Sequence, residues 1–406
     1  MAKRRSTVEQ QVADLLLIAK NSLGLSVAFL TRMDGTTQFI EVVESSVPFL
    51  FKQGATQKQE TTLCQAIWDK KLPPVIPDLR SFPEAMKLPA ARLPRIRSYV
   101  SVPVVLSDGT TYGTFCAAGL TSDQGLTKRD QALMDVLAHA ASVVIEPAVR
   151  QHARDCEIEA RLNPILTAGG PTVVVQPIVE LATGRRVGVE ALSRFPAEWQ
   201  RPPDACFAEA HSIGVGHRLE MLALRRAADH LDRISGYVAL NVSSDTLLTP
   251  ECSTLLGEIG PNLDRILLEL SEHDPVDDYD VLREVLAPLR ARGMRLAIDD
   301  VGAGFSSLRH IVLTAPDVIK LDRTIIAGVS ADPVLATLVR SLVEFAHGCG
   351  ARVVAEGVET SADAEALCAL GVDYGQGWHF GRPGSPNDLI DAGVESHGSS
   401  LEHASA

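Results

Sequence analysis

The 406-residue sequence is thin in several features that would place a protein quickly. It has no C-x-x-C pair, and its seven cysteines (Cys64, Cys116, Cys156, Cys206, Cys252, Cys349, Cys368) are scattered and odd in number. That pattern argues against a disulfide framework or structural zinc and suits a reducing cytoplasm. Positive charge is also short. A formal net charge of −13 gives no basic field for nucleic-acid polymers or an anionic membrane, so a polyanionic ligand would have to be met by metal ions or local arginines. Apolar runs such as SVVIEPAV are broken by charge or proline before bilayer length, and the basic start MAKRRSTVEQQVADLLLIAK carries no cleavage signature. The histidines, including His211, His217, His310, His347 and His379, lack metal-like spacing. The expectation is a soluble cytoplasmic chain of two or more domains.

The first stretch reads as α+β. Helical periodicity from Thr7 to Leu23 precedes two strands around an Asp34-Gly35 turn, and two more strands flank Ser107-Asp108-Gly109. Between them, TTLCQAIWDKKLPPVIPDLR reads as a short helix and a short strand. Thr127 and Asp130 have the spacing of a capping box for a helix through QALMDVLAHAASVVIEPAVRQHARDCEIEARL, in which Pro147 is the main blemish. This helix turns polar after Val149, as a connector would, and Ala168-Gly169-Gly170-Pro171 ends it. Cys64 and Cys116 read as buried small hydrophobes rather than redox sensors.

In the second stretch, short apolar runs each end in a polar or charged residue. VGVEAL delivers Glu190, YVALN Asn241, ILLEL Glu269, RLAIDD Asp299 and Asp300, DVIK Lys320, VVAE Glu356 and YGQG Gln376. A parallel strand in a barrel is buried on both faces, so charge is expected only where the strand emerges, and these ends point to one rim. Five carboxylates gathered there require divalent cations to offset their repulsion. The eight strand candidates are VVVQPIV, VGVEALSRF, YVALNV, ILLEL, RLAIDDV, DVIKLD, RVVAEGV and YGQGWHF. Only ELATGRR separates the first two, too few residues for a helical crossover, which predicts an antiparallel hairpin in a modified barrel. A lone carboxylate at a strand end is most often a cap or a surface ion pair, but the set has no such explanation.

The ordered motifs QPIV, EALSRF, NVS, ELSE, DDVGAGFSSL, IKLD, AEGVET and GQGWHFGRP resemble an EAL-type cyclic di-GMP phosphodiesterase domain. SYVSVPV, DGTTYGTFCAAG and the helix after them are similar to a GAF sensory domain. The resemblance implies a modified (β/α)8 TIM-type barrel over residues 165–390, preceded by an α+β GAF-like domain over 10–150. The last GAF helix would continue as a linker to about 163, and 391–406 would form a flexible tail. It further implies hydrolysis of cyclic di-GMP to linear pGpG with two Mg2+ or Mn2+ ions, a small-molecule signal at the GAF-like domain, and a homodimer. No GGDEF-like cyclase motif is present.

Carried onto this sequence, the resemblance makes Glu190, Asn241, Glu269, Asp299, Asp300 and Glu356 metal ligands. Glu356, Lys320, Glu190 and Gln376 become catalytic residues, and Gln176, Leu192, Arg194, Asp322 and Pro383 contact the nucleotide. Glu272 would anchor the loop DDVGAGFSSL, in which Val301, Ala303 and Phe305 depart from the commoner DDFGTGYSS. That departure keeps open a second reading of another class: a cyclic di-GMP receptor without turnover that signals to a protein partner.

Overall fold

The structure, a computed structural model, describes residues 6–47, 51–92, 96–271, 275–302 and 307–388. Glu272, Ala303, Phe305 and the tail 391–406 lie outside the described residues. The chain divides into two compact units, Met1–Arg154 and Asp155–Ala406.

The first unit is built on a six-stranded antiparallel sheet of order β3-β2-β1-β6-β5-β4. Its strands are β1 (Val27–Met33), β2 (Thr37–Ser45), β3 (Thr56–Lys58), β4 (Val75–Ile76), β5 (Ser98–Val105) and β6 (Thr111–Gly119). Successive side chains point to opposite faces. Ala28, Leu30, Phe115 and Ala117 therefore pack with Val12 and Leu16 of helix Thr7–Leu23 and with Met134 and Ala141 of helix Lys128–Thr167. Val27, Phe29, Cys116 and Ala118 pack on the other side with Leu63 and Cys64 of helix Leu63–Trp68.

Helix Lys128–Thr167 opens as the capping spacing predicts. The Thr127 backbone N–H and hydroxyl both donate to the Asp130 carboxylate, at 2.8 and 3.0 Å. Part of this helix is long and apolar enough to cross a bilayer by length and composition, which the broken apolar runs did not lead one to expect. Its Met134, Leu137, Ala138, Ala141 and Ile145 are instead buried in the core of the first unit.

The second unit is a closed eight-stranded barrel. Its strands are β7 (Thr172–Glu180), β8 (Arg186–Arg194), β9 (Tyr237–Asn241), β10 (Ile266–Ser271), β11 (Arg295–Val301), β12 (Val318–Leu321), β13 (Arg352–Ala355) and β14 (Tyr374–Gln376). Strand β7 runs antiparallel to both β8 and β14, and the other pairs are parallel. Outward residues such as Val238, Leu268, Ile298, Ile319 and Val353 meet the surrounding helices in one large apolar cluster. Ile178, Tyr237, Ala239, Leu267, Ala297, Val318 and Val354 fill the interior with a separate apolar layer.

Candidate active site

Strand periodicity builds the site directly on that interior layer. Moving two residues along a strand returns to the same face. Ala239 thus leads to Asn241, Leu267 to Glu269, Ala297 to Asp299, Val318 to Lys320 and Val354 to Glu356, while the reversed β7 brings Gln176 up from Ile178. Register aligns the layer, pairing Gln176 with Glu190 and Glu269 with Asn241. The set is graded in depth: Lys320 is 0% exposed, Glu269 1% and Glu190 5%, whereas Asp299 and Glu356 are half-buried and Asn241 is exposed.

Lys320 is the hub. Its Nζ lies 2.7 Å from Glu356 Oε1, 2.9 Å from Glu269 Oε2, 3.2 Å from Asp299 Oδ2 and 3.7 Å from Glu190 Oε2. Amides fix Glu190 from two sides, with Asn241 Nδ2 donating to Oε1 at 2.8 Å and Gln376 Nε2 to Oε2 at 2.6 Å. Gln176 joins this set, accepting from Gln376 at 3.2 Å and donating to the Gly381 carbonyl at 3.0 Å. Four carboxylates share one ammonium, and their titration follows from that imbalance. Burial, together with neighbouring carboxylates, pushes the Glu269 and Glu356 carboxyls well above the usual range despite Lys320. Burial also opposes ionisation of Glu190, but Lys320 and the Gln376 and Asn241 amides outweigh it and hold its carboxyl low. Burial alone would lower Lys320, yet the four acids raise it well above the ordinary lysine value.

The donor set fits divalent cations. One oxygen each from Glu190, Glu269 and Asp299 lie within 4.8 Å of one another, as do those of Asp299, Asp300 and Glu356. Both trios are all-oxygen, as hard cations such as magnesium or manganese prefer. Although Lys320 is within ion-pair distance of Glu269, both buried Glu269 oxygens lack a hydrogen-bond partner, a state a bound cation would relieve. Asp300 is brought beside Asp299 by a register shift between Ile298 and Val301, with Asp300 at φ +60°, a left-handed conformation Asp tolerates.

A groove of about 330 Å³ runs over this cluster, lined by Gln176, Glu190, Leu192, Asp299, Asp322, Glu356 and Gln376. Asp322 also caps helix Arg323–Ile326 through the Thr324 N–H at 2.8 Å. Two expected nucleotide contacts stand apart from this lining. Arg194 opens onto a neighbouring cavity and donates to the Ser193 carbonyl, and Pro383 precedes Gly384, which bridges to Val175. The rim holds features that the sequence reading did not single out. Trp378 is 56% exposed on the groove with Arg382 stacked at 4.4 Å, and Arg323 pairs with Glu359 at 2.9 Å. A periodicity argument misses these because they sit beyond the strands, Arg323 at the start of a short helix and Glu359, Trp378 and Arg382 on loops.

Comparison with known proteins places this arrangement. The EAL domain profile matches residues 159–383 and a GAF domain profile matches 6–146. The cyclic di-GMP phosphodiesterase PdeL of Escherichia coli (strain K12) is 29% identical over 236 residues, covering 55% of this chain and 65% of PdeL. The solved PaMucR phosphodiesterase in complex with c-di-GMP is 26% identical at a TM-score of 0.50, covering 57% of this chain and 99% of that one. The Xanthomonas citri FimX EAL domain in complex with c-diGMP, 20% identical with a TM-score of 0.51 over 58% of this chain and 96% of that one, shares the fold. The chain spans about a third to two thirds of the length of the curated relatives it matches. With a modified barrel, an acidic mouth and the EAL profile over more than half of its length, the chain belongs to the EAL domain family and carries a GAF domain at its N-terminus.

Proposed function

We propose that the barrel hydrolyses one phosphodiester bond of cyclic di-GMP to give linear pGpG, using two magnesium or manganese ions. The observation that carries this reading is the pair of oxygen trios sharing Asp299. Glu190, the Asn241 carbonyl oxygen, Glu269 and Asp299 would hold one cation, and Asp299, Asp300 and Glu356 the other. Bound there, the cations would supply positive charge to the phosphodiester and make a water molecule more acidic. Glu356 keeps Oε1 on Lys320, which leaves Oε2 to orient the attacking water and receive its proton. Lys320 stabilises the charge that develops beside it, and Gln376 and Asn241 keep Glu190 aimed inward. Gln176, Leu192 and Asp322 line the nucleotide path, and Arg194 and Pro383 supply outer contacts.

In the same reading the N-terminal domain, residues 10–150, binds a small-molecule signal and sets turnover in the barrel domain, 165–390. The chain acts as a cytoplasmic homodimer. Purified full-length protein should release pGpG with Mg2+ or Mn2+, and Glu190→Gln should not. Tight cyclic di-GMP binding without pGpG at any metal concentration would overturn turnover and leave a receptor. A concentration-independent monomer in light scattering would remove the dimer.

A further inference from the structure

The sheet face that packs on helix Leu63–Trp68 carries a buried polar cluster inside an apolar core. Cys64, on that helix, and Cys116, on the central strand β6, place their sulfurs 3.4 Å apart. Both side chains are buried. The Tyr99 hydroxyl lies 3.0 Å from the Cys64 sulfur and the Ser101 hydroxyl 3.3 Å from that of Cys116, which donates to Thr114 at 3.1 Å. Hydrogen bonds continue from Thr114 through Thr31 and Gln38 to the partly exposed Gln57. Burial agrees with the reading of both residues as small core hydrophobes, and the contact of two thiols amid hydroxyl groups adds what sulfur chemistry needs.

We propose that Cys64 and Cys116 form a two-electron redox site that closes to a disulfide when hydrogen peroxide reaches it. The Cys64 thiolate attacks one peroxide oxygen, the O–O bond breaks, and the leaving hydroxide takes the proton the thiol lost, giving water and a sulfenic acid. The Cys116 sulfur then attacks the Cys64 sulfur, the S–O bond breaks, and hydroxide leaves as a second water with the Cys116 proton. Two thiols are oxidised and one peroxide is reduced to two waters, and cellular thiols reverse the bond by exchange. The roles follow from the surroundings. Burial opposes ionisation of Cys64, but hydrogen bonds from Cys116, Thr114, Tyr99 and Gln38 outweigh it and lower the thiol to about 6, whereas burial pushes Cys116 up. Closure needs the sulfurs to approach by roughly 1.3 Å to disulfide length. Strand β6 is held by β1 and β5 on both sides, so this movement falls on the helix bearing Cys64. Reversible closure of this kind is compatible with a reducing compartment.

The test treats the full chain with graded hydrogen peroxide, blocks remaining thiols and maps peptides by mass spectrometry. The expected product is a Cys64–Cys116 linked peptide two hydrogens lighter than its parts, lost again on treatment with dithiothreitol. Cys116→Ser should leave a dimedone-trappable sulfenic acid at Cys64, and Cys64→Ser should leave Cys116 unoxidised. Recovery of both residues as free thiols while the exposed Cys156, Cys349 and Cys368 oxidise would overturn the proposal, and this readout on unmodified protein does not depend on either variant folding.

Discussion

Lys320 holds together four acids that would otherwise drive one another apart, and its removal tests that role. Lys320→Met should lower the metal-free melting temperature and cut pGpG release by roughly 100-fold or more, the scale of losing one preorganised charge-stabilising group. Glu269→Gln should behave differently. Because burial and neighbouring acids already raise the Glu269 carboxyl well above the ordinary range, a neutral isostere should not lower metal-free stability, yet it should reduce the melting-temperature rise on adding Mn2+, leaving the part due to the cation at Asp299, Asp300 and Glu356. Glu269 and Glu356 titrate higher folded than unfolded, so their contribution to stability is full below the ordinary carboxylate range and is lost as pH rises through the folded values. Glu190, held low, works in the opposite sense as one group against two. Metal-free protein should therefore melt at lower temperature as pH rises from about 5 to about 8, and Mn2+ should reverse the trend; thermal melts with chelator or metal check both.

At the level of elements, strand β11 has the most exacting geometry. Its register shift sets Asp299 and Asp300 side by side, and Gly302 follows at φ +112°, where an added Cβ would lie 2.6 Å from Ile325 Cδ1. Gly302→Ala should cost roughly 1–3 kcal/mol through backbone strain and contact. It should also weaken the cation held through Asp300 while sparing the one at Glu190, seen as loss of one class of sites in calorimetric Mn2+ titration. The eight barrel strands and the acids at their ends were legible in the sequence because buried strands repeat every two residues and a charge interrupting that run is conspicuous. The β7–β8 hairpin was legible because chain length forbids a crossover. Depth was not: DVIK reads as a strand end, yet only packing shows that Lys320 has no access to solvent. Nor was the cavity that Arg194 lines, which it shares with Leu192, Asn241 and Glu269, since adjacency to Glu190 in sequence says nothing of which side chains meet there. The contact between Cys64 and Cys116 joins a helix to a strand 52 residues later, a pairing no local pattern encodes.

Over the whole molecule, two compact units carry separate apolar cores. Unfolding should therefore depart from a single transition, and Mn2+ should raise the melting of the barrel while leaving that of the N-terminal unit where it was; scanning calorimetry with and without metal measures this directly. The reversed direction of β7 matters on this scale as well. Thr172, at the start of the strand, pairs with Arg194 at the end of β8, and Val175 bridges to Gly384 beyond β14. In a barrel with every strand parallel, the polypeptide would arrive at the end remote from the chemistry. Here strand β7 starts beside the acidic mouth at Thr172, four residues before Gln176 enters the hydrogen-bonded set around Glu190. Inverting one strand shortens the covalent distance between the first residue of the barrel and what reacts inside it to less than the length of a single β-strand.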